Sequence, residues 1–403
     1  MGIFVFFLIA TGILALGYGY IGWRLIVPAN LAAPWNLLAW AMLILLLLIP
    51  LVTFFLQINR MEKGWADMLS WISYLSLGFV SLLFTILFIR DLIWLVTLGA
   101  LKAVSIGREL IGTSAGVPGP VEPERRRFLI QSMNLGMVGI TSALTGYGVY
   151  EARRRPATIQ LSIPITNLPD DLEGFRILQI TDIHAGLTVR RKFIEAVVAQ
   201  ANELAPDLIA FTGDLVDGSV PKLRYEVAPM AELSARHGRY FVTGNHEYYS
   251  GAEPWVEEAD RLGFTVLLNE HRILQVGSSR MLVAGVTDYS GGQFIKSHAS
   301  SPAAAMAGAP ASDVKILLAH QPRSLHAAVP LGFDLQISGH THGGQFFPWN
   351  LLAAMGQPYI AGLHQHDAAR NGWIYVSRGT GYWGPPIRLG ARSEITVISL
   401  TRA

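Results

Sequence analysis

The sequence predicts an N-terminal bundle of membrane-spanning α-helices followed by an α/β domain. Three observations predict it. Long uncharged apolar stretches fill the first 150 residues. From Phe175 onward, short apolar runs alternate with amphipathic ones. Several of those runs end in carboxylate, imidazole or amide side chains. The chain has 403 residues, 51% of them hydrophobic, which exceeds the usual share for a soluble protein. A net charge of +2 creates no field that would draw nucleic acid, and no such partner is expected. Cysteine is absent, which excludes disulfides and thiolate ligands. Any metal must be held by nitrogen and oxygen.

Residues 3–23, 36–56, 68–90 and 128–150 each have the length and apolarity of a span. Trp23, Trp35 and Trp65 stand at span ends, where interfacial aromatics collect. Residues 92–106 are apolar but short and carry Lys102; they read as the third helix continuing into the interface beyond Arg90-Asp91. The first stretch lacks a positive n-region and is followed by more spans, so it reads as a span and not a cleaved signal. The expected organisation is a membrane region over 1–150, a linker and first strand over 151–173, and the α/β domain over 174–403. Residues 112–124 read as a Gly/Pro loop.

Within the second part, residues 176–181, 207–212, 239–243, 281–286, 314–318, 335–338, 374–377 and 394–400 read as strands. Residues 190–203, 222–236 and 255–262 read as helices, and 300–312 as a loop or short helix. Five strand ends carry candidate ligands: Asp182-Ile-His184, Gly213-Asp214, Gly244-Asn245-His246-Glu247, Ala319-His320 and Gly339-His340-Thr-His342. In an extended chain residues i and i+2 share a side. Asp182 with His184, and His340 with His342, can therefore converge. Asp214 has two oxygens with which to bridge two cations.

These motifs, in this order over residues 175–400, resemble the calcineurin-like metallophosphoesterase superfamily. The resemblance implies a four-layer α/β/β/α sandwich and two divalent ions. One ion would take Asp182, His184, Asp214 and His342. The other would take Asp214, Asn245, His320 and His340. His246 would approach the substrate phosphate as a catalytic group. A hydroxide between cations about 3.5–4 Å apart would attack the phosphorus. Mixed N/O donors suit Mn, Fe or Zn, and the resemblance favours Mn. Gly339-His-Thr-His-Gly-Gly-Gln345, with residues 376–381 and Pro385-Pro-Ile-Arg388, is similar to a membrane-associated bacterial branch. That branch includes twin-arginine secreted phosphodiesterases and UDP-2,3-diacylglucosamine hydrolases.

The leading functional reading is a metal-dependent phosphodiesterase or phosphatase, integral to the membrane and acting on phosphomono- or phosphodiesters at the bilayer surface, with lipid or lipid-linked phosphates as candidate substrates. A tethered hydrolase of soluble nucleotides or phosphodiesters is the enzymatic alternative, and a membrane sensor with a phosphoesterase-like domain the non-enzymatic one. A transporter fits less well, because the first three spans show no obvious interior charge. The sequence does not set the oligomeric state. Other residues read less specifically. Asp217 is either a partner of the ligands or a helix cap. Glu247 reads as structural. Arg323, Arg378 and Arg388 could meet a phosphate, but ordinary salt bridges suit each better. His364 and His366 repeat the i, i+2 spacing; they and the other four histidines outside the motifs read as surface or packing residues. Gly17-Tyr-Gly-Tyr-Ile-Gly22 mimics a dinucleotide fingerprint but lies in an apolar span, where it would let helices approach. Gly112-Thr-Ser-Ala-Gly116 mimics a nucleophile elbow without its strand and helix.

Arg125-Arg126-Arg127-Phe128-Leu129 fits the twin-arginine export pattern and equally a positive-inside flank. Both place these arginines in the cytoplasm of a bacterial inner membrane and the catalytic domain outside. Loop cations agree by seven inside (Arg24, Arg90, Lys102, Arg108 and these three) to five outside (Arg60, Lys63, Arg153, Arg154, Arg155).

Overall fold

The computed structural model describes residues 2–58, 64–111, 122–367 and 372–403. Gly112–Gly116, most of the 112–124 loop, Arg60 and Lys63 lie outside these. The chain divides into two compact units, Met1–Tyr147 and Gly148–Ala403.

Four helices open the chain: α1 (Gly2–Ala29), α2 (Trp35–Ile58), α3 (Gly64–Leu110) and α4 (Pro123–Arg153). All are long and apolar enough to cross a membrane. Residues 92–106 continue α3 without a break. A Cβ on Gly22 would lie 2.5 Å from the Trp40 ring, so this glycine lets α1 meet α2 closely. Tyr18, Ile21, Val80, Leu83 and Leu87 form the buried seam. Charge is balanced locally: Arg90 donates to Asp91 at 2.9 Å and to Asn134 at 2.8 Å.

The second unit contains two six-stranded sheets. One runs in the order β1 (Ala157–Ile165), β12 (Glu394–Arg402), β2 (Arg176–Ile180), β3 (Leu208–Phe211), β4 (Arg239–Phe241), β5 (Thr265–Val266). The other runs β10 (Gly362–Asp367), β11 (Gly372–Val376), β9 (Leu335–Ser338), β8 (Val314–Leu318), β7 (Ser279–Gly285), β6 (Glu270–Val276). Neighbours among β2, β3, β4 and β5 are parallel, as are those among β7, β8, β9 and β11.

The inner faces pack on each other through Ile177, Leu208, Val242, Val283, Ile316 and Ile337. The outer face of the first sheet buries Ile180, Phe211 and Phe241 against Ile194 and Val197 of α5 (Arg191–Glu203), Leu223 of α6 (Val220–Val227) and Trp255. The outer face of the second sheet buries Leu282, Ala284 and Leu317 with Ala305 and Ala328 from short helices. The result is the α/β/β/α sandwich that the resemblance implies. Parallel strands buried on both faces explain why their sequences are continuous apolar runs.

The helix expected over 222–236 ends early. α6 stops at Val227 and a 3₁₀ turn follows over Ala228–Glu232. Pro229 lacks the N–H that an α-helix would need there and disfavours helix in the residue before it. Elements beyond the sequence reading include β5, β6, β10 and helices at Asn245–Ser250, Leu325–Ala328 and Trp349–Gly356. β6 is only partly buried, so its pattern is weak.

Candidate metal centre

The ligand motifs sit at the carboxyl ends of β2, β3, β4, β8 and β9, where parallel strands deliver side chains to one edge. After β2 the backbone N–H groups of Asp182 and His184 donate to the carbonyls of Gly213 and Asp214 at 3.0 and 3.1 Å. The two strand-end loops are thereby zipped together. Close backbone approach is required at Gly339, where a Cβ would collide with the Asp182 carboxylate and Thr181.

Two clusters form. In the first, His184 Nε2 lies 3.0 Å from His342 Nε2 and 3.7 Å from Asp214 Oδ2, and His342 Nε2 lies 3.6 Å from Asp182 Oδ1. In the second, His320 Nε2 lies 3.1 Å from Asp214 Oδ2 and 3.2 Å from both Asn245 Oδ1 and His340 Nδ1. Asp214 Oδ2 thus faces both. Its other oxygen accepts from the His246 backbone N–H at 2.9 Å. Asp182, His184, Asp214, Asn245, His320 and His342 are buried.

The donor set fits cations. His320 Nδ1 donates to the Thr212 carbonyl at 2.7 Å and His184 Nδ1 to Asp217 at 3.1 Å. Both Nε2 atoms therefore point into their clusters. Around His320 Nε2 gather a carboxylate oxygen, an amide oxygen and a second imidazole nitrogen. So many electron-rich atoms converging call for positive charge, supplied by a proton on His320 or by a bound cation. Electrostatics agree. Burial opposes protonation of His320, but Asp214 and Asp182 overcome it and hold its pKa well above the ordinary value. Burial, then the His320 charge, pushes His340 down to about 3. Burial and His184 likewise push His342 down, keeping it neutral.

Asp217 settles on the partner role. Its Oδ1 accepts from His184 and, at 2.6 Å, from His246 Nδ1. Burial resists the charge on His246, but Asp214 and Asp217 raise its pKa to about 9. Trp383 and Tyr249 flank the His246 ring edge-on, at centroid distances of 5.5 and 5.1 Å. Glu247 is structural, as read: it accepts from the N–H groups of Asp214, Leu215 and Gly244 at 2.7–2.9 Å. Burial, then Asp214, raises its pKa to about 8.

Arg378 makes the expected salt bridge, with Glu394 at 3.0 Å. Arg323 instead donates to the Gly356 carbonyl and stacks on Tyr289. Arg388 also departs from its expected salt bridge. It is 1% exposed and donates to the carbonyls of Ala391 (2.7 Å), Arg378 (2.8 Å) and Gly381 (2.6 Å), with NH2 3.0 Å from His342 Nδ1. Nothing in one Pro-Pro-Ile-Arg string distinguishes a buried carbonyl clamp from a surface ion pair. Neither do the flanking aromatics signal their contact with His246. His364 stacks on Tyr359 and bonds the Ala361 carbonyl; it joins neither cluster.

The calcineurin-like phosphoesterase profile matches residues 175–344. A Danio rerio transmembrane protein with metallophosphoesterase domain is 36% identical over 271 residues, which cover 66% of this chain and 62% of that protein. A Helicobacter pylori metallophosphoesterase is 36% identical over 280 residues, covering 68% and 72%. A Bacillus subtilis metallophosphoesterase is 30% identical over 293 residues, covering 68% and 97%. The solved 5'-nucleotidase precursor of Thermus thermophilus superposes with a TM-score of 0.34 at 16% identity, over 56% of this chain and 54% of that one. The match thus spans less than two thirds of the Danio rerio protein and nearly all of the Bacillus subtilis one. With both imidazole–carboxylate clusters falling on or inside the matched region, the chain belongs to the calcineurin-like metallophosphoesterase family.

Proposed function

We propose that this chain is a membrane-anchored phosphoesterase that holds two divalent ions and hydrolyses lipid or lipid-linked phosphate esters at the bilayer surface. The single observation that carries it is the pair of lone-pair clusters sharing Asp214 Oδ2. Asp182, His184, Asp214 and His342 would hold one ion, and Asp214, Asn245, His320 and His340 the other. Mn suits these donors, as do Fe and Zn. When bound, the ions supply Lewis acidity for the phosphoryl oxygens and a water whose pKa falls towards about 7.

The chain's own residues supply the rest. His246 is bonded to Asp217 through Nδ1, which leaves Nε2 to face the leaving oxygen. Its raised pKa keeps a proton available at neutral pH, and transfer of that proton typically contributes about 10²–10⁴-fold. Asp217 fixes the ring and stabilises its charged form. Trp383 and Tyr249 pack edge-on against the ring and restrict its rotation. The four apolar helices support insertion in a membrane, read here as a bacterial inner membrane, and the Arg125-Arg126-Arg127 flank supports a catalytic domain outside the cytoplasm.

Metal analysis and turnover of the purified protein with Mn test the reading, using lipid phosphates, nucleotide-sugar lipids and soluble nucleotides as substrates. Wild type should hold two ions and prefer the lipid substrates. Asp214→Asn should lose both occupancy and turnover. Full occupancy and turnover in that variant would overturn the two-ion assignment; hydrolysis confined to soluble nucleotides would overturn the lipid assignment. Reporter fusions after Ala403 test the topology: alkaline phosphatase should be active and a cytoplasmic fluorescent protein dim.

A further inference from the structure

The metal-ligand loop leads into an apolar rim that catalysis does not explain. From Gly343 to Leu363 the sequence carries no charged residue. Within it the helix Trp349–Gly356 exposes Trp349 (47%), Leu351 (54%), Leu352 (54%) and Met355 (84%). Such side chains seldom gather in water unless something covers them. The helix is not a loose end. Its last carbonyl, Gly356, accepts from Arg323, and Gln357 accepts from the Arg323 backbone N–H at 3.0 Å. Gln345 exchanges two hydrogen bonds with the Trp383 backbone, at 2.9 and 2.7 Å. The rim therefore continues to Trp383, itself 52% exposed and packed beside His246.

We propose that this rim docks into the acyl-chain boundary of the bilayer that holds α1–α4, seating the catalytic edge on the lipid surface. Two arguments select lipid as the occupant. The rim is too short and too broken by Pro348 and Pro358 to span, yet has the uncharged, Trp- and Leu-rich make-up of an interfacial segment. Only Arg154, Arg155 and Pro156 separate the end of α4 from β1. Three extended residues reach about 10 Å, so the tether between the last apolar helix and the domain is short. Docking rests on the membrane-anchored part of the proposed function and gives its lipid substrate a route: the headgroup phosphate reaches the ligands while its chains stay in the bilayer.

The absence of cysteine makes a direct test available. Met355→Cys and, as a reference on α6, Tyr225→Cys are each labelled with a nitroxide in the full-length protein. Both are reconstituted in phosphatidylcholine–phosphatidylglycerol vesicles with Mn. Relaxation by oxygen and by a water-soluble nickel chelate is then compared. The Met355 label should favour oxygen over the chelate several-fold, and the Tyr225 label the reverse. Equal chelate access at both would overturn docking. In a second arm, Leu351→Ser with Leu352→Ser and Met355→Ser should lower the ratio of lipid to soluble-diester hydrolysis about tenfold. An unchanged ratio overturns docking while leaving the lipid reading intact. If wild type hydrolyses the soluble diester but no vesicle lipid, the lipid reading fails, and docking is decided by the spin labels alone.

Discussion

Asp182, His184, Asp214, His340 and His342 all stand in the left-handed region, with φ of 54°, 51°, 55°, 73° and 52°. A non-glycine residue there costs roughly 1–2 kcal/mol. The turns that aim the ligands inward are thus held by surrounding structure against local preference. This predicts an inversion of the usual order. His184→Gly should be more stable to denaturant than His184→Ala by about 1 kcal/mol in metal-free protein, although glycine is ordinarily the worse choice. Equal unfolding midpoints would show that the turn is unstrained. A second prediction concerns His246. Its pKa is raised to about 9, so its acid form persists through neutral pH and is lost as pH rises past that value. Turnover of substrates with poor leaving groups should fall over the same range. Asp217→Asn removes a carboxylate that raises this pKa, so the fall should move to lower pH in a kcat–pH profile. The motif positions were legible because each ligand follows a buried strand and a residue type with lone pairs. The tie between Asp217 and His246 was not, because a carboxylate within a loop reads equally well as a cap.

At the scale of elements, the strands that carry ligands were readable almost to the residue: 314–318 and 335–338 coincide with β8 and β9. Central parallel strands are apolar on both faces and bounded by polar turns. β10 was missed because it runs through Gly362, His364 and Gln365, which give no period of two. The uncharged helix at Trp349–Gly356 was missed because its apolar residues form no face turned towards a core. The segment after β11 is irregular, and Arg388 organises it by occupying three of its carbonyls. Arg388→Met should therefore destabilise the domain by about 3 kcal/mol or more, as each buried carbonyl left unpaired costs about 1–3 kcal/mol. Arg388→Lys should recover little of this, because an ammonium cannot reproduce the planar fork. Equilibrium denaturation checks both, and a loss within about 1 kcal/mol for Met would remove Arg388 from this role.

Over the whole second unit, the ligands come from both sheets. Asp182, His184, Asp214 and Asn245 follow strands of one; His320, His340 and His342 follow strands of the other. His184 and His342, in contact at the site, are 158 residues apart in sequence. Neither sheet alone presents a complete set, so an ion that binds here recognises the docked pair and not the unfolded chain. At free metal about 1,000 times the dissociation constant, such selective binding stabilises by about 4 kcal/mol. Chelation should then lower the thermal midpoint by about 10 °C, and Asp214→Asn should melt at one temperature with or without chelator. Binding should also release protons, because His320 is held protonated until an ion replaces its charge. Under the proposed function the two sheets would act as halves of a lock closed by the ions they hold. Where metal is scarce, the unlocked form opens more often to proteases. Metal supply would then govern how many copies persist in the membrane as well as how fast each one works.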